Sequence, residues 1–312
     1  MVQDNSSRNI ENPSEKAGNQ THPAIIVHGG AWSIPDSLKE DHLKGVRKAV
    51  KIGYQILFQK GTALRAVENA VACMEDDSVF DAGLGSFLNE EGIVELDALI
   101  MDGSTLNAGA IGAVRNCRNP ITLARLLLEQ TSTMMVVGKG ADLFAEKMNL
   151  SCDPKELIVH REQERWERGK EDIFTPNVGG TVGAVAIDSK GNLSSATSTG
   201  GSPFKMVGRL GDTPIIGSGG YANKVAAASS TGHGESFMKL NVAKMAVDLV
   251  DSGCHPQKAA QAVIEKVARI EGYGGIIIVN NEGQIGYSFN TARMAYAIIT
   301  REGELSVGID AK

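Results

Sequence analysis

The sequence predicts an α+β domain in which antiparallel hairpins lie between layers of helices. Both halves of the chain contain short apolar runs typical of buried strands and longer segments whose apolar residues recur at helical spacing. The second half orders them strand, strand, helix, helix, strand, strand, which differs from the alternation expected of a doubly wound sheet. The four residues at 189–192 (SKGN) separate two strand-like runs and are typical of a hairpin turn.

In the first half, a strand follows Pro23 and stops at Gly29-Gly30, and Asp36 opens a helix that ends at Gly61. Apolar residues at near-helical spacing predict that helix and a second one at 64–74. The other elements predicted for this half are strands at 94–101 and 108–114 and helices at 121–128 and 141–148.

In the second half, strands are predicted at 181–188 and 193–199, on either side of the hairpin turn. The elements predicted after them are helices at 235–250 and 256–270 and closing strands at 274–279 and 284–287.

Two segments lack such patterns. Residues 1–22 are polar and contain no apolar stretch of the kind found in a signal peptide, so they are predicted to be a disordered tail. Between 151 and 179, twelve of 29 residues are charged and the helical spacing is lost, which predicts a mobile linker. Residues 23–312 are therefore predicted to form a single domain that contains this linker.

Composition excludes several classes of function. The net charge of −6 argues against binding nucleic acid or an anionic membrane, and no apolar run approaches the ~20 residues of a membrane span. The chain has neither a phosphate-binding Walker loop nor a dinucleotide fingerprint, so no organic cofactor is predicted. Because no secretion signal precedes them, the four scattered cysteines are expected to be reduced thiols of a cytoplasmic protein.

The junction between Gly180 and Thr181 carries the strongest chemical signal. A charged segment ends in two glycines, and a strand of small residues begins at once with a threonine. If this peptide bond were cut, Thr181 would hold a nucleophilic hydroxyl and, in its freed α-amine, its own base. An isolated Gly-Gly-Thr is more often an ordinary turn into a strand. The neighbouring sequence must therefore distinguish a cleavage site from such a turn.

Three further groups of residues could take part in such chemistry. Thr199 ends the second strand of the hairpin and could lie beside Thr181, which begins the first. Arg209 and Asp212 together could bind the carboxylate and the ammonium of a free amino acid, although their spacing is also typical of a surface ion pair. Thr231, near the start of a predicted helix, could help to form an oxyanion site or could simply cap the helix.

Seven short motifs, in this order and spacing, resemble the plant-type asparaginase and isoaspartyl peptidase family of N-terminal nucleophile hydrolases. The resemblance covers residues 24–310. Its motifs are HGGAW (28–32), DAGLGS (81–86), LDALIMDGS (96–104), GTVGAVAIDSKGN (180–192), ATSTGG (196–201), GRLGDTPIIGSGGYA (208–222) and TGHGE (231–235).

The resemblance implies a four-layer αββα sandwich, made as an inactive precursor that cuts itself between Gly180 and Thr181. The two products would be an α subunit (1–180) and a β subunit (181–312), assembled as a dimer of αβ units. The implied substrates are L-asparagine and β-aspartyl dipeptides.

The resemblance also assigns roles to individual residues. Thr181 becomes the nucleophile and Thr199 supports its activation. Arg209 binds the α-carboxylate of the substrate, whereas Asp212 and the carbonyl of Gly234 bind its α-ammonium. The remaining roles are an oxyanion hole formed by Thr231 and the N–H of Gly232, and a structural sodium ion bound by the backbone carbonyls of Met74, Glu75, Asp77, Phe80, Ala82 and Leu84.

One residue departs from the family pattern. Asp81 stands where the family usually has Asn, which removes an amide donor and adds a negative charge near the nucleophile. A catalytically weak amino-acid-binding protein therefore remains as one alternative. A glycosylasparaginase-type hydrolase is another, although the absence of a secretion signal and the GTVGAVA form of the motif disfavour it.

Overall fold

The computed structural model describes residues 23–169 and 180–311, which form a mixed α+β fold. The α+β class predicted from the sequence is therefore confirmed. The tail predicted at 1–22 and residues 170–179 of the predicted linker lie outside the described residues.

The described elements agree closely with the prediction at 24–148. The strands are β1 (Ala24–Trp32), β2 (Leu96–Asp102), β3 (Ala108–Val114), β4 (Met135–Val137), β5 (Val182–Ile187), β6 (Leu193–Thr199), β7 (Gly220–Ala222), β8 (Ala226–Gly232), β9 (Gly274–Asn280), β10 (Ile285–Phe289), β11 (Arg293–Ile299) and β12 (Leu305–Asp310). The α-helices are α1 (Asp36–Phe58), α2 (Ala63–Glu75), α3 (Pro120–Gln130), α4 (Lys139–Lys147), α5 (His160–Arg168), α6 (Gly234–Leu240), α7 (Val242–Asp251) and α8 (Pro256–Arg269).

The strands form two sheets. The larger has eight strands in the order β12-β11-β1-β5-β6-β2-β3-β4, and the smaller has four in the order β10-β9-β8-β7. Neighbouring strands are antiparallel except for β3 and β4. The hairpin predicted on either side of residues 189–192 is the β5–β6 pair, at the centre of the larger sheet.

Three hydrophobic clusters hold these elements together. One lies between the larger sheet and helices α1, α2 and α3, the second between the two sheets, and the third between the smaller sheet and helices α7 and α8. Side chains alternate between clusters along a strand: in β9, Ile277 packs between the sheets, whereas Ile276 and Ile278 pack against the helices. Both faces of the central strands are therefore buried, as their continuous apolar runs indicated.

The predicted linker is the clearest correction. Residues 151–169 are not irregular: they contain a 3₁₀ helix (Pro154–Leu157) and α5. Glu162 is buried and forms ion pairs with Arg161 at 2.5 Å and with Arg165 at 3.0 Å. Trp166 Nε1 donates a hydrogen bond to the carbonyl of Asn89 at 3.0 Å. The charged residues thus stabilise a packed helix, so the prediction is wrong for this part of the segment.

Other differences concern boundaries and strands. The helix predicted at 235–250 is divided into α6 and α7 at Asn241, whose left-handed backbone (φ 50°) interrupts the helical path. Strand β1 continues through a bulge beyond Gly29-Gly30 to Trp32. Strands β4, β7, β8, β11 and β12 were not predicted. Within the described ranges, no helix combines the length and the apolar character that crossing a membrane requires.

Candidate active site

The β5–β6 hairpin brings two threonine hydroxyls together. Its register pairs Val182 with Ser198, so that Thr181, just before β5, lies opposite Thr199 at the end of β6. Thr181 Oγ1 donates a hydrogen bond to Thr199 Oγ1 at 3.1 Å, and Gly201 N donates another to the same acceptor at 3.0 Å. Both threonines are almost completely buried. The neighbourhood expected from the hairpin is therefore present.

Gly180 fits closely against Asp81, the residue that departs from the family pattern. A Cβ placed on Gly180 would lie only 2.4 Å from the Cβ of Asp81, so no larger residue fits without movement. Burial raises the pKa of Asp81 well above its usual range, although a hydrogen bond from Phe87 N at 2.9 Å opposes this. A small cavity of about 20 Å³ borders both residues. The unusual carboxyl group thus lies at the junction where cleavage is predicted.

His28 is a buried polar residue to which the sequence analysis assigned no role. Its Nε2 lies 3.0 Å from Ser229 Oγ, which connects the two sheets beside β5. Burial lowers the pKa of His28 to about 3, and a hydrogen bond to the backbone of Thr181 only partly offsets this. A Cβ on Gly183 would lie 2.3 Å from the same Nε2. The imidazole is therefore neutral, and it passes β5 at Gly183, where the absence of a side chain leaves room. The sequence signal that could have identified His28 was its place at the start of the HGGAW motif.

Arg209, Asp212 and Gly234 also lie close together. A Cβ placed on Gly234 would be 3.0 Å from Arg209 Nη2 and 3.0 Å from Asp212 Oδ1. Asp212 is buried and accepts a hydrogen bond from Ser230 Oγ at 3.1 Å. Burial raises its pKa to about 6, although Ser230 and Arg209 oppose the shift. Arg209 forms an ion pair with Glu235 at 2.8 Å. Arg209 and Asp212 are therefore not the surface ion pair that their spacing could have indicated.

Thr231 and Gly232 lie at the end of β8. Thr231 is fully buried, and its Oγ1 accepts a hydrogen bond from Ala31 N of β1 at 3.3 Å. Thr231 and Ser229 are two residues apart on one strand, so both side chains point from β8 towards the larger sheet. Thr231 Oγ1 acts as an acceptor in this hydrogen bond, so its own O–H remains available as a donor.

The residues predicted to bind sodium lie in the last turn of α2 and in the compact loop that follows it. Leu84 N donates to the carbonyl of Glu75 at 2.8 Å and closes the loop. The side chain of Glu75 is buried and accepts hydrogen bonds from Ser198 Oγ at 2.6 Å and from Ile121 N at 3.0 Å. The loop is thereby connected to β6, one residue before Thr199. In the described part of the chain, no cluster of three or more His, Cys, Asp or Glu side chains could bind a metal ion.

The sequence matches a known family over nearly its whole length. A profile of the family described as asparaginase matches residues 21–309. The isoaspartyl peptidase/L-asparaginase of Xenopus laevis is 47% identical over 294 residues, which cover 92% of this chain and 95% of that protein. The human protein of the same name is 43% identical, with 93% and 96% covered, and the plant-type L-asparaginase of Pyrococcus abyssi is 44% identical, with 90% and 97% covered. The chain therefore belongs to the asparaginase family.

Proposed function

We propose that this protein cuts itself between Gly180 and Thr181 and then hydrolyses β-aspartyl amide bonds. L-Asparagine would yield L-aspartate and ammonia, and isoaspartyl dipeptides would yield aspartate and an amino acid. The observation that carries this proposal is the 3.1 Å contact between Thr181 Oγ1 and Thr199 Oγ1, directly after a glycine that fits only as glycine. The names of the relatives from frog and human support the choice of substrates.

In the proposed mechanism, cleavage turns the amide nitrogen of Thr181 into an amine. An α-amine has a reference pKa of roughly 7.7–8.0, so near neutral pH it can accept the hydroxyl proton. The hydroxyl then attacks the side-chain carbonyl of the substrate, and Thr199 holds that hydroxyl in place. Thr231 Oγ1 and the N–H of Gly232 stabilise the developing oxyanion. The Thr181 α-ammonium passes its proton to the leaving group, which departs as ammonia or as the amine of the second amino acid. Water then hydrolyses the ester on Thr181 and releases aspartate.

The substrate head group is held by charges at the other side of the site. Arg209 binds the α-carboxylate through parallel hydrogen bonds, and Asp212 with the carbonyl of Gly234 binds the α-ammonium. Supporting this, Asp212 is buried beside Arg209, where an unpaired carboxylate is costly and a cationic ligand is favourable. A substrate with both groups free is therefore preferred.

We also propose the αββα layering and the subunit organisation of N-terminal nucleophile hydrolases. Helices packed on the outer face of each sheet support the layering. The α subunit would be 1–180, the β subunit 181–312, and two αβ units would form a dimer. A sodium ion fits the loop at 74–84, because that loop begins at the C-terminus of α2, where backbone carbonyls point outward and attract cations.

Replacing the nucleophile tests the proposal. Thr181→Ala is expected to leave an uncut 33.0 kDa chain without activity, because the attacking oxygen is removed and, without cleavage, the α-amine that serves as the base never forms. Thr181→Ser, which retains a hydroxyl, serves as the matched control and is expected to be cut. Intact mass spectrometry follows cleavage, and aspartate release from β-aspartyl-leucine and from L-asparagine follows activity.

Three results would contradict the proposal in different ways. Two fragments from Thr181→Ala would exclude self-cleavage at this residue. A cut wild-type protein that binds aspartate but releases none from either substrate would indicate a binding protein, as the carboxyl group of Asp81 beside Gly180 allows. Faster hydrolysis of a glycosylated asparagine would indicate a glycosylasparaginase.

A further inference from the structure

Resting on the function proposed above, we propose that Glu95 is a positioning residue for substrate binding. Its carboxylate fixes the backbone just before Arg209 and so places the guanidinium that binds the α-carboxylate of the substrate. Glu95 itself touches neither the substrate nor the nucleophile in this proposal. It acts only through the segment that carries Arg209.

The contacts of Glu95 show how this positioning is achieved. Its side chain is completely buried, and Oε2 accepts a hydrogen bond from Gly208 N at 2.9 Å. The other oxygen, Oε1, accepts hydrogen bonds from Arg115 Nη2 at 2.7 Å and Nε at 3.2 Å. The backbone carbonyl of Glu95 accepts a further hydrogen bond, from Lys205 Nζ at 2.8 Å. One residue therefore binds the segment 205–208 at both of its ends.

The segment at 204–208 has few other means of holding its shape. It has no regular secondary structure, and Met206 and Val207 are exposed, so apolar burial contributes little there. Its other hydrogen bonds are backbone contacts to a neighbouring turn (Phe204 N to Leu88 O, Glu90 N to Lys205 O), local turn contacts (Lys205 N to Ser202 O, Arg209 N to Met206 O) and one from Val207 N to the partly exposed side chain of Glu90. Gly208 has a φ of 76°, and a side chain added there would meet nothing within 4 Å. The contact with Glu95 therefore restrains a flexible position next to Arg209.

The far end of Arg209 is restrained as well. Glu235 accepts hydrogen bonds from Nε and Nη2 of Arg209, and these define the direction of the guanidinium. With Glu95 at the backbone and Glu235 at the tip, the side chain is held from both ends. An arginine that is held in this way loses little freedom when it binds a carboxylate, so the affinity for substrate increases.

Replacing the carboxylate by an amide should break this arrangement without opening a cavity. In Glu95→Gln, one acceptor oxygen remains for two sets of donors, so either Gly208 N or Arg115 faces an NH₂ group. Glu91→Gln is the matched control, since Glu91 is exposed and lies in the adjacent turn. L-Asparaginamide, which lacks the α-carboxylate, is the matched control substrate.

The expected result is a selective loss of affinity. For L-asparagine, KM of Glu95→Gln rises about tenfold, as expected for the loss of one charge-assisted hydrogen bond, while kcat changes less than about twofold. The ratio of kcat/KM for asparagine to that for asparaginamide falls by the same factor. Intact mass shows the same cut fraction as in the wild type, and Glu91→Gln matches the wild type throughout.

Several outcomes would overturn the inference. It is wrong if Glu95→Gln behaves like Glu91→Gln, if kcat falls at constant KM, or if asparaginamide is affected as strongly as asparagine. Should Glu95→Gln fail to fold, Arg115→Gln tests the same contact from the other side, and an unchanged KM would contradict the proposal. If wild-type protein hydrolyses neither substrate, the proposed function fails first, and calorimetric binding of L-aspartate to the wild type and Glu95→Gln then decides this inference separately.

Discussion

Replacing Thr199 by valine tests the hydroxyl pair directly. The change preserves the shape of the side chain but removes the oxygen that accepts hydrogen bonds from Thr181 Oγ1 and Gly201 N. Thr181 Oγ1 then loses the contact that orients it for attack, both on the Gly180 carbonyl and on substrate. We therefore expect slower self-cleavage and slower hydrolysis from a single substitution.

The magnitudes follow from these two contacts. Each neutral hydrogen bond contributes about 0.5–1.5 kcal/mol net, so the free energy of unfolding should fall by about 2 kcal/mol. A positioned group that assists proton transfer typically contributes about 10²–10⁴-fold, and we take the lower value because Thr199 assists the base rather than replacing it. The expected fall in kcat/KM of about 100-fold corresponds to roughly 2.7 kcal/mol in the activation barrier.

Thr197→Val is the matched control for this experiment. Thr197 lies on the same strand and the same face, is fully buried, and its hydroxyl has no hydrogen-bond partner among the described residues. Replacing that hydroxyl by a methyl group should leave stability equal or higher and both rates unchanged. Intact mass over time measures cleavage, and aspartate release measures hydrolysis. Equal rates for Thr199→Val and wild type, or equal losses in both variants, would refute the reasoning.

Three further outcomes are expected. Thr231→Val should lower kcat about 10²–10³-fold through loss of one oxyanion donor, and should lower the free energy of unfolding by about 1 kcal/mol because Ala31 N loses its acceptor; an unchanged kcat would exclude the oxyanion role. Burial raises the pKa of Asp212 to about 6, so protonation should neutralise this carboxylate as pH falls below 6. KM for asparagine should therefore rise as the ionised fraction of Asp212 falls. In Asp212→Asn this pH dependence of KM should vanish. Gly183→Ala should reduce the free energy of unfolding in urea by about 1–3 kcal/mol, because the added Cβ would lie 2.1 Å from Ser229 Oγ; wild-type stability would contradict this packing.

The sequence predicted the elements that have strong periodicity or turn signals. Strand β3 and helices α2 and α8 were predicted to within two residues at either end, and the β5–β6 hairpin followed from the turn at 189–192. Strand β8 was missed because its sequence, AAASSTG, has neither β-branched alternation nor a bulky apolar residue. It is a strand because β7 and β9 pair with it on both sides, which local sequence cannot indicate.

The candidate site shows the same division between local and distant information. Thr181 and Thr199 could be placed together because one hairpin connects them. His28 and Ser229 are separated by 201 positions, and Glu95 and Gly208 by 113, so their contacts depend on how the sheets and loops pack. Helix α5 was missed for a related reason, since it is held to the domain by contacts that are distant in sequence, from Trp166 Nε1 to Asn89 O and from Arg161 Nη2 to Ser78 O.

The position of the hairpin would allow the proposed cut between Gly180 and Thr181 without loss of the site. Strand β5 is hydrogen-bonded to β1 on one side and β6 on the other along its whole length, starting at Val182. A cut immediately before Thr181 would therefore leave the new N-terminus at the end of a strand paired on both edges. The hydrogen bond between the hydroxyls of Thr181 and Thr199 belongs to the same hairpin and involves no residue before Thr181. A nucleophile at the edge of the sheet would lack this support, because loss of the upstream chain would allow the strand end to fray.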